Sequence, residues 1–377
     1  MQLSLFKDVA FLPETEGIKY IGSKLKIMPH ILSLIRSTDA KTVLDGFSGT
    51  TRIAQALARL GYQVIANDVA VWSKVFGECY LLNEKPPSYY AELIEHLNSL
   101  PPKWGWFTEH YGGFPNGGDS VQADGLKRPW QVHNTMKLDA IREEIDRLHL
   151  SQIEKSVLLT ALILALDSVD NTVGHHASYL RRWAPRSYRT MRLVVPNLIY
   201  PQCCEHYVYQ KDIFEVIEEV EADLAYFDPP YGSNNKLMPS SRVRYAAYYH
   251  LWTTIILNDK PALFGKARRR EDTRDTKASS VFEEFRRNPA TGRYVAVEAI
   301  ERLLRKAQVR YILLSYSSGG RATAREIYEV VQSVGRVVKF VKVNYRKNVM
   351  AQMAWTYEWI QQAEEPHQEF LFLIEKA

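Results

Sequence analysis

The sequence predicts an α/β protein built on a doubly wound, mostly parallel sheet, with a terminal antiparallel hairpin and a mainly helical insertion. Three observations carry that expectation. Residues 42–45, Thr-Val-Leu-Asp, form a short apolar run ending in an acid; after Gly46-Phe-Ser-Gly49-Thr-Thr51, apolar residues recur at helical spacing from Arg52 to Leu60 and stop at Gly61. Gln63-Val-Ile-Ala66 repeats the strand pattern and ends at Asn67-Asp68, before a helix expected over roughly 70–83. The same grammar returns far downstream, in Tyr207-Val-Tyr209 before Lys211-Asp212 and in Leu224-Ala-Tyr-Phe227 before Asp228. Short strands ending in acids, separated by a glycine turn and a helix, open a doubly wound sheet.

Later elements complete the sheet. Val309–Ser315 reads as a strand running into a Tyr316-Ser-Ser-Gly-Gly320 turn, followed by a helix over about 322–333. Val337–Val343 and Phe370–Ile374 alternate in polarity as an antiparallel hairpin would. Two stretches interrupt this order. Residues 86–204 open with Pro86-Pro87 and are expected to be largely helical in their second half; residues 233–294 carry the basic runs Gly265-Lys-Ala-Arg-Arg-Arg270 and Arg286-Arg287. The organisation expected is a sheet core of 1–85 and 205–377, an inserted region at 86–204, and a second basic insertion within the core at 233–294.

Composition narrows the class. The chain has 377 residues, 46% hydrophobic and 24% charged, with a formal net charge of +5, which excludes wholesale disorder and a supercharged nucleic-acid coat. Three cysteines are too few for a disulfide framework and fit a reducing cytosol. The N-terminus, MQLSLFKDVAFLPETEG, lacks an export signal. The longest apolar run, Val157–Leu166, contains Thr160, is about half the length that spans a bilayer, and follows a Ser151–Glu154 capping box, so a buried helix is expected. The 22 Tyr, 14 Phe and 8 Trp in a mildly basic chain point weakly to nucleic acid.

Ligands of doubly wound sheets sit beyond the carboxyl ends of the strands. Asp45 and Asp68 end two adjacent expected strands, and the second acid suits ribose hydroxyls. The Gly46–Thr51 turn does not match GxGxxG, so a pyrophosphate cradle is poorly supported and a nucleoside ligand such as S-adenosylmethionine fits better. Gly49 allows close backbone approach. Lys19-Tyr20-Ile-Gly22-Ser-Lys24 is either an exposed N-terminal loop or a cation and an aromatic beside the ligand, and Asp212 is either a site acid or the N-cap of the helix after it.

Asp228-Pro229-Pro230-Tyr231 is the sharpest feature. The prolines fix φ at two positions and disfavour helix before them, holding Asp228 at the strand end beside outward-facing carbonyls, with Tyr231 offering a flat face. A carboxylate and a carbonyl accepting both N–H groups of a planar exocyclic amine favour pyramidalisation and free its lone pair. Positioning and electrostatics then do most of the work of a methyl transfer from a sulfonium.

These motifs make the chain resemble the D12 class of DNA adenine-N6 methyltransferases, the group related to Dam, over nearly its whole length and in order. Tyr20-Ile-Gly-Ser-Lys24 looks like the family's N-terminal cofactor motif, Asp45-Gly-Phe-Ser-Gly49 its first strand-turn motif, Asn67-Asp68 the ribose-binding acid and Asp228–Tyr231 the catalytic motif. The resemblance implies a Rossmann-like methyltransferase sheet and S-adenosylmethionine as cofactor, held by Tyr20, Lys24, Asp45, Phe47, Ser48, Gly49, Thr50, Asp68, Asp212 and Asp228. It places Phe47 and Gly49 against the methionine part and Asp212 between cofactor and target adenine. One departure stands out: the family's FxGxG becomes Phe47-Ser-Gly-Thr-Thr51, without the last glycine.

Chemistry on a duplex base requires flipping it out, hence a pocket and a clamp. No Asp or Glu occurs from Asn171 to Cys204, where Arg181, Arg182, Arg186, Arg189 and Arg192 cluster with Tyr179, Trp183 and Tyr188. Arginines neutralise phosphates or read guanine edges, and aromatics stack or wedge. The second insertion adds nine Lys/Arg against five Asp/Glu between Phe264 and Tyr294, among them Lys266, Arg268, Arg269 and Arg270. His175-His176 offers too few ligands for a metal, so none is expected and these histidines read as structural or DNA-facing. Tyr248-Tyr249-His250, on a helix expected over 245–257, is either a packed face or a hold on the flipped base.

The reading is a site-specific DNA adenine-N6 methyltransferase of bacterial, archaeal or phage cytoplasm, acting on double-stranded DNA without membrane contact, alone or beside a cognate restriction endonuclease. Cytosine-N4 methylation is the alternative, and an RNA or protein-amide methyltransferase a more distant one.

Overall fold

A computed structural model describes residues 12–232, 245–274, 280–284, 286–317, 320–344 and 368–376. Its centre is a seven-stranded sheet of β1 (Thr42–Asp45), β2 (Gln63–Asn67), β3 (Tyr207–Tyr209), β4 (Leu224–Phe227), β5 (Tyr311–Ser317), β6 (Gly335–Asn344) and β7 (Gln368–Lys376), in the order β6-β7-β5-β4-β1-β2-β3. The five strands from β5 to β3 are parallel, and β7 runs antiparallel to both β5 and β6. β4, buried at all four positions, is a continuous apolar run because helices cover both its faces. The terminal hairpin does not hang on the sheet edge: β7 inserts between β5 and β6, which brings its first residues to the carboxyl ends of the parallel strands.

Side chains alternate between two covered faces, as the two-residue period of a strand requires. Leu44, Ala225, Phe227, Ile312 and Leu314 pack with α8 (Ile213–Glu219), α11 (Val295–Lys306) and α12 (Ala324–Val334). Val43, Val64, Leu224, Tyr226 and Leu313 face α1 (Met28–Arg36) and α2 (Arg52–Arg59).

The first insertion contributes α4 (Pro87–Ser99), α5 (Trp106–Tyr111), α6 (Val132–Arg147) and α7 (Gln152–Ser168). Its core is continuous with α3 (Val71–Leu81) and α10 (His250–Leu257), through Trp72, Val75 and Phe76 on one side and Leu251, Trp252 and Ile255 on the other. Arg142 of α6 is buried and donates to the Ile255 and Ile256 carbonyls at the end of α10, at 2.6 and 2.9 Å. α7 opens with the Ser151–Glu154 capping box, and its apolar run is buried. Among the described residues no helix is long and apolar enough to cross a membrane.

Two expectations about this region need correction. Helix ends at Ser168, so residues 169–204 are irregular apart from one turn at Pro185–Tyr188; the second half of the insertion is not largely helical. Side chains take over the hydrogen bonding there: Asn171 donates to the Leu180 carbonyl at 2.9 Å and accepts from the Ala184 amide at 2.8 Å. The expected helix over 245–257 is two short ones, α9 (Tyr245–Tyr248) and α10, broken at Tyr249.

His175, His176 and His250 are buried where the insertion meets these helices, His175 stacked on Tyr248 at 4.5 Å and His176 edge-on to Trp252 at 4.5 Å. They are structural, and Tyr249 and His250 form a packed face. Burial holds all three imidazoles below their ordinary range, His175 to about 4 and His250 to about 3. The unfolded chain binds protons near pH 6.5 that the folded chain refuses, so this stability is complete above that pH and is lost as pH falls towards 4 and then 3. Thermal melting should show a midpoint falling by several degrees between pH 7 and pH 5. A flat profile over that interval would remove these histidines from the acid response.

Candidate active site

The register of β1 aligns Asp45 with Ala66 of β2 and Tyr226 of β4, so Asp45, Asp68 and Asp228 emerge at one edge of the sheet. A cavity of about 790 Å³ lies there, a size typical of small-molecule sites. Tyr20, Lys24, Asp45, Phe47, Ser48, Gly49, Thr50, Asp68, Asp212 and Asp228 to Tyr231 all line it.

The cofactor side is shaped by the turn after β1. Gly49 takes φ +48°, its amide donates to Asp68 Oδ2 at 2.9 Å, and Asp68 Oδ1 accepts the Ala70 amide at 2.9 Å. Asp68 thus fixes the glycine turn and starts α3. Tyr20 lies against Gly49 and stacks on Tyr249 and Tyr245, with ring centroids 4.8 and 5.5 Å apart. Gly22, at φ +86°, has no room for a side chain: a Cβ would lie 2.9 Å from the Tyr245 hydroxyl. The segment from Lys19 to Lys24 is therefore a packed wall of the site rather than a loose N-terminal loop. Asp212, exposed at the rim, accepts the Phe214 amide as the N-cap of α8 and also lines the cavity.

Asp45 is buried, and neither of its side-chain oxygens makes a well-aligned hydrogen bond, the Phe47 and Ala54 amides standing near it as poorly placed donors. Burial, with Asp228 and Asp68 nearby, pushes its carboxyl up to about 8. A buried acid without a well-aligned donor, aimed into a cavity, is what a cationic ligand would relieve.

Thr51, where the family pattern has its last glycine, lies at φ +60° and caps α2. The glycine conformation is thus kept by a β-branched residue, at a cost of roughly 1–2 kcal/mol. Its hydroxyl accepts from Gln55 Nε2 at 3.0 Å, and its amide donates to the Ser48 carbonyl at 2.7 Å.

At the catalytic end, Lys24 Nζ lies 3.1 Å from Asp228 Oδ1 and 2.6 Å from Glu369 Oε1. The Tyr231 hydroxyl bonds Asp228 Oδ1 and, at 2.7 Å, Glu369 Oε1, which also accepts from Ser315 at 3.0 Å. Burial would lower the Lys24 ammonium, but Asp228 and Glu369 outweigh it and hold it above its ordinary value. Burial raises the Asp228 carboxyl above the usual carboxylate range, and Glu369 adds to the effect while Lys24 opposes it. Tyr231 does not present a free ring: the Lys24 ammonium stands 4.7 Å over it and Tyr316 meets its edge at 4.9 Å.

Glu369 and Ser315 were not among the residues expected here. The available signal was an acid opening an apolar strand, in Gln368-Glu-Phe-Leu-Phe-Leu-Ile374.

The basic residues divide by exposure. Arg181, Arg182, Tyr188, Arg189, Arg192 and Lys266 are exposed. Arg181 pairs with Asp119 at 3.3 Å and Arg192 with Glu95 at 2.9 Å, and Arg189 donates to the Ser168 carbonyl. Arg186 is instead drawn in to the buried Asp170 at 2.9 Å, and Arg268 bridges Asp124 and His110. Arg269 donates to the Thr273 carbonyl and lies over the Phe264 ring. Arg270 is buried between Asp259 and Asp272. Tyr179 and Trp183, expected to stack or wedge, are core residues whose polar atoms donate to the Ala267 and Phe114 carbonyls. Arg270, Tyr179 and Trp183 are thus buried with partners inside the protein, and Arg186 and Arg268 are half-buried and held by the chain's own acids.

Among the described residues one cluster has metal-type donors, Cys203, Cys204 and His206. His206 Nδ1 accepts the Val64 amide at 3.1 Å, which engages that ring nitrogen in the sheet rather than with the two thiols.

The model of the D12 class N6 adenine-specific DNA methyltransferases matches residues 20–312. The chain belongs to this family. Among characterised proteins it is similar to the Type II methyltransferase M.NlaIII of Neisseria lactamica, 27% identical over 339 residues, covering 88% of this chain and 92% of the relative. It is equally similar, at 27%, to the modification methylase StsI of Streptococcus sanguinis and to the Type II methyltransferase M.FokI of Planomicrobium okeanokoites, covering 88% and 95% of this chain. The chain spans about half the length of these two relatives, 48% and 53%. Membership of the D12 class makes the protein a DNA adenine methyltransferase and implies S-adenosylmethionine as methyl donor.

Because Thr51 occupies the position of a family glycine, Thr51→Gly should be more stable than Thr51→Ala by about 1 kcal/mol, a left-handed alanine being strained where glycine is not. Urea unfolding of the two variants compares them; equal midpoints would mean the turn relaxes.

Proposed function

We propose that this chain methylates adenine N6 at a specific sequence of duplex DNA, on a base flipped into the cavity at the ends of β1 and β4. The observation that carries the reading is the convergence of the Asp228-Pro-Pro-Tyr231 turn and the Asp45–Gly49 turn on one cavity. Asp45, Phe47, Ser48, Gly49, Thr50 and Asp68 would hold S-adenosylmethionine together with Tyr20, Lys24 and Asp212. When bound, it supplies a methyl group on a positively charged sulfonium.

The chain's own part is orientation and charge. Asp228, with the Pro229 carbonyl, accepts the two N–H groups of the target amine and turns its lone pair out of conjugation. As positive charge grows on that nitrogen, the Asp228 carboxylate stabilises it and takes its proton. The raised proton affinity of Asp228 suits a base.

Residues 86–204 would recognise the target, with Arg181, Arg182, Arg189 and Arg192 on phosphates or base edges, Tyr188 against a base, and Lys266 on the second insertion's surface. The names of the relatives, type II methyltransferases and a modification methylase, support a role in restriction-modification beside a cognate endonuclease, in a prokaryotic or virus-infected cytoplasm.

Incubation with S-adenosylmethionine and unmethylated DNA, followed by modified-base sequencing, should give N6-methyladenine confined to one motif; N4-methylcytosine would overturn the base assignment. Asp228→Ala should lower turnover at least 1000-fold, about 4 kcal/mol of transition-state stabilisation, with DNA affinity nearly unchanged. Turnover near wild type would sink the mechanism.

Removing Arg182 and Arg189 together should weaken DNA binding and reduce the slope of log affinity against log salt by about 2. Arg186→Ala should instead lower the melting temperature, because it leaves Asp170 buried with one partner fewer. An unchanged salt slope in the double variant would place the clamp elsewhere.

A further inference from the structure

The cluster around Asp228 holds a second acid. Strand alternation puts Glu369 on the β7 face that also carries Leu371 and Leu373, and it is buried there. An apolar residue would fill that position without the cost of burying a carboxylate, which proteins accept where the charge has partners. Glu369 has three, all on Oε1: the Lys24 ammonium, the Tyr231 hydroxyl and the Ser315 hydroxyl. Lys24 and Tyr231 touch Asp228 as well, and both on Oδ1. Each of these two donors is therefore shared between the two acids, and Oδ2 of Asp228 takes part in neither contact.

We propose that Glu369 is a positioning residue for methyl transfer: by holding Lys24 and Tyr231, it fixes Asp228 through Oδ1, turns Oδ2 to the target amine, and gives the site its net negative charge. The proposal rests on the methyltransferase reading above.

The charges facing Asp228 come from several elements. Lys24 and Tyr20 face it from the N-terminal turn, Asp45 from β1, Tyr226 from β4, Tyr231 from its own turn, Tyr245 from α9 and Glu369 from β7. The tyrosines are neutral, and burial beside Asp228 and Asp68 shifts the Asp45 carboxyl towards its protonated form. One ammonium thus stands between two carboxylates, a net charge of −1. A neutral amine approaching Asp228 becomes cationic as its lone pair bonds to the methyl carbon and the carbon–sulfur bond breaks with its electron pair left on sulfur, and one N–H proton then passes to Asp228 Oδ2. A second carboxylate favours both events, since like charge raises the proton affinity of Asp228.

Glu369→Gln keeps the shape of the side chain and removes its charge, and Glu369→Asp restores the charge on a shorter stem. In Glu369→Gln, single-turnover methylation should slow 10- to 100-fold, with the affinities for S-adenosylmethionine and DNA within about threefold of wild type. The acid limb of its rate profile should move to lower pH, because Asp228 loses a like-charged neighbour, and Glu369→Asp should recover part of both. A rate and limb equal to wild type would overturn the proposal, as would a loss confined to cofactor affinity.

Carbon-13 NMR of aspartate-labelled protein, with Asp228→Asn to assign the signal, reads the same shift without turnover. In the variant, Asp228 should titrate at lower pH than in wild type, and an unmoved titration would overturn the proposal whatever the activity. An inactive wild type would refute the methyltransferase reading, and the NMR comparison would still decide the hold of Glu369 on Asp228. If Glu369→Gln melts far below wild type, Glu369→Leu, which removes the charge and fills the buried position with an apolar side chain, carries both comparisons.

Discussion

The Lys24 ammonium is the interaction on which the site depends. It is a buried cation joining a turn near the N-terminus, the proline turn after β4 and the first residues of β7. A charge in that position is tolerable only because two carboxylates face it, and those carboxylates are tolerable only because of the charge. The aromatic wall of Tyr20, Tyr245 and Tyr249 and the crowding at Gly22 hold the segment that carries Lys24 in place. Packing thus fixes the electrostatics, and the electrostatics fix the orientation of Asp228.

Much of this was legible in the sequence because it lies in short local patterns. The strands ending at Asp45, Asn67 and Phe227 could be read from apolar runs, and the turns that follow them supply the cavity walls on both sides. The family resemblance brought Tyr20 and Lys24 to the site, which spacing alone left as a loop. Glu369 stayed hidden because its importance comes from where β7 inserts, a long-range pairing with no local signature. Ser315 and Tyr245 needed the same tertiary information.

The basic stretch shows the limit from the other side. A run free of acids suggests a uniformly cationic surface, yet Arg186 finds Asp170, just upstream of it, and Arg268 finds Asp124 in the first insertion. Local charge counts miss partners brought in by the fold. Arg268 and the Tyr179 hydroxyl instead stitch the second insertion to the first, and Arg270 braces the second internally through Asp259, so the exposed basic surface is smaller and better braced than composition implied.

The contact between Lys24 and Glu369 spans 345 positions of the chain. The ribosome makes the cofactor turn, the proline turn and both basic insertions well before it makes β7. Until that strand has threaded between β5 and β6, Lys24 lacks its better-placed partner and the sheet lacks its penultimate member. Loop closure over such a distance is slow, and earlier segments can pair only with one another in the meantime. A nascent chain can therefore assemble most of the cavity walls while the centre around Asp228 stays unfinished until β7 takes its place.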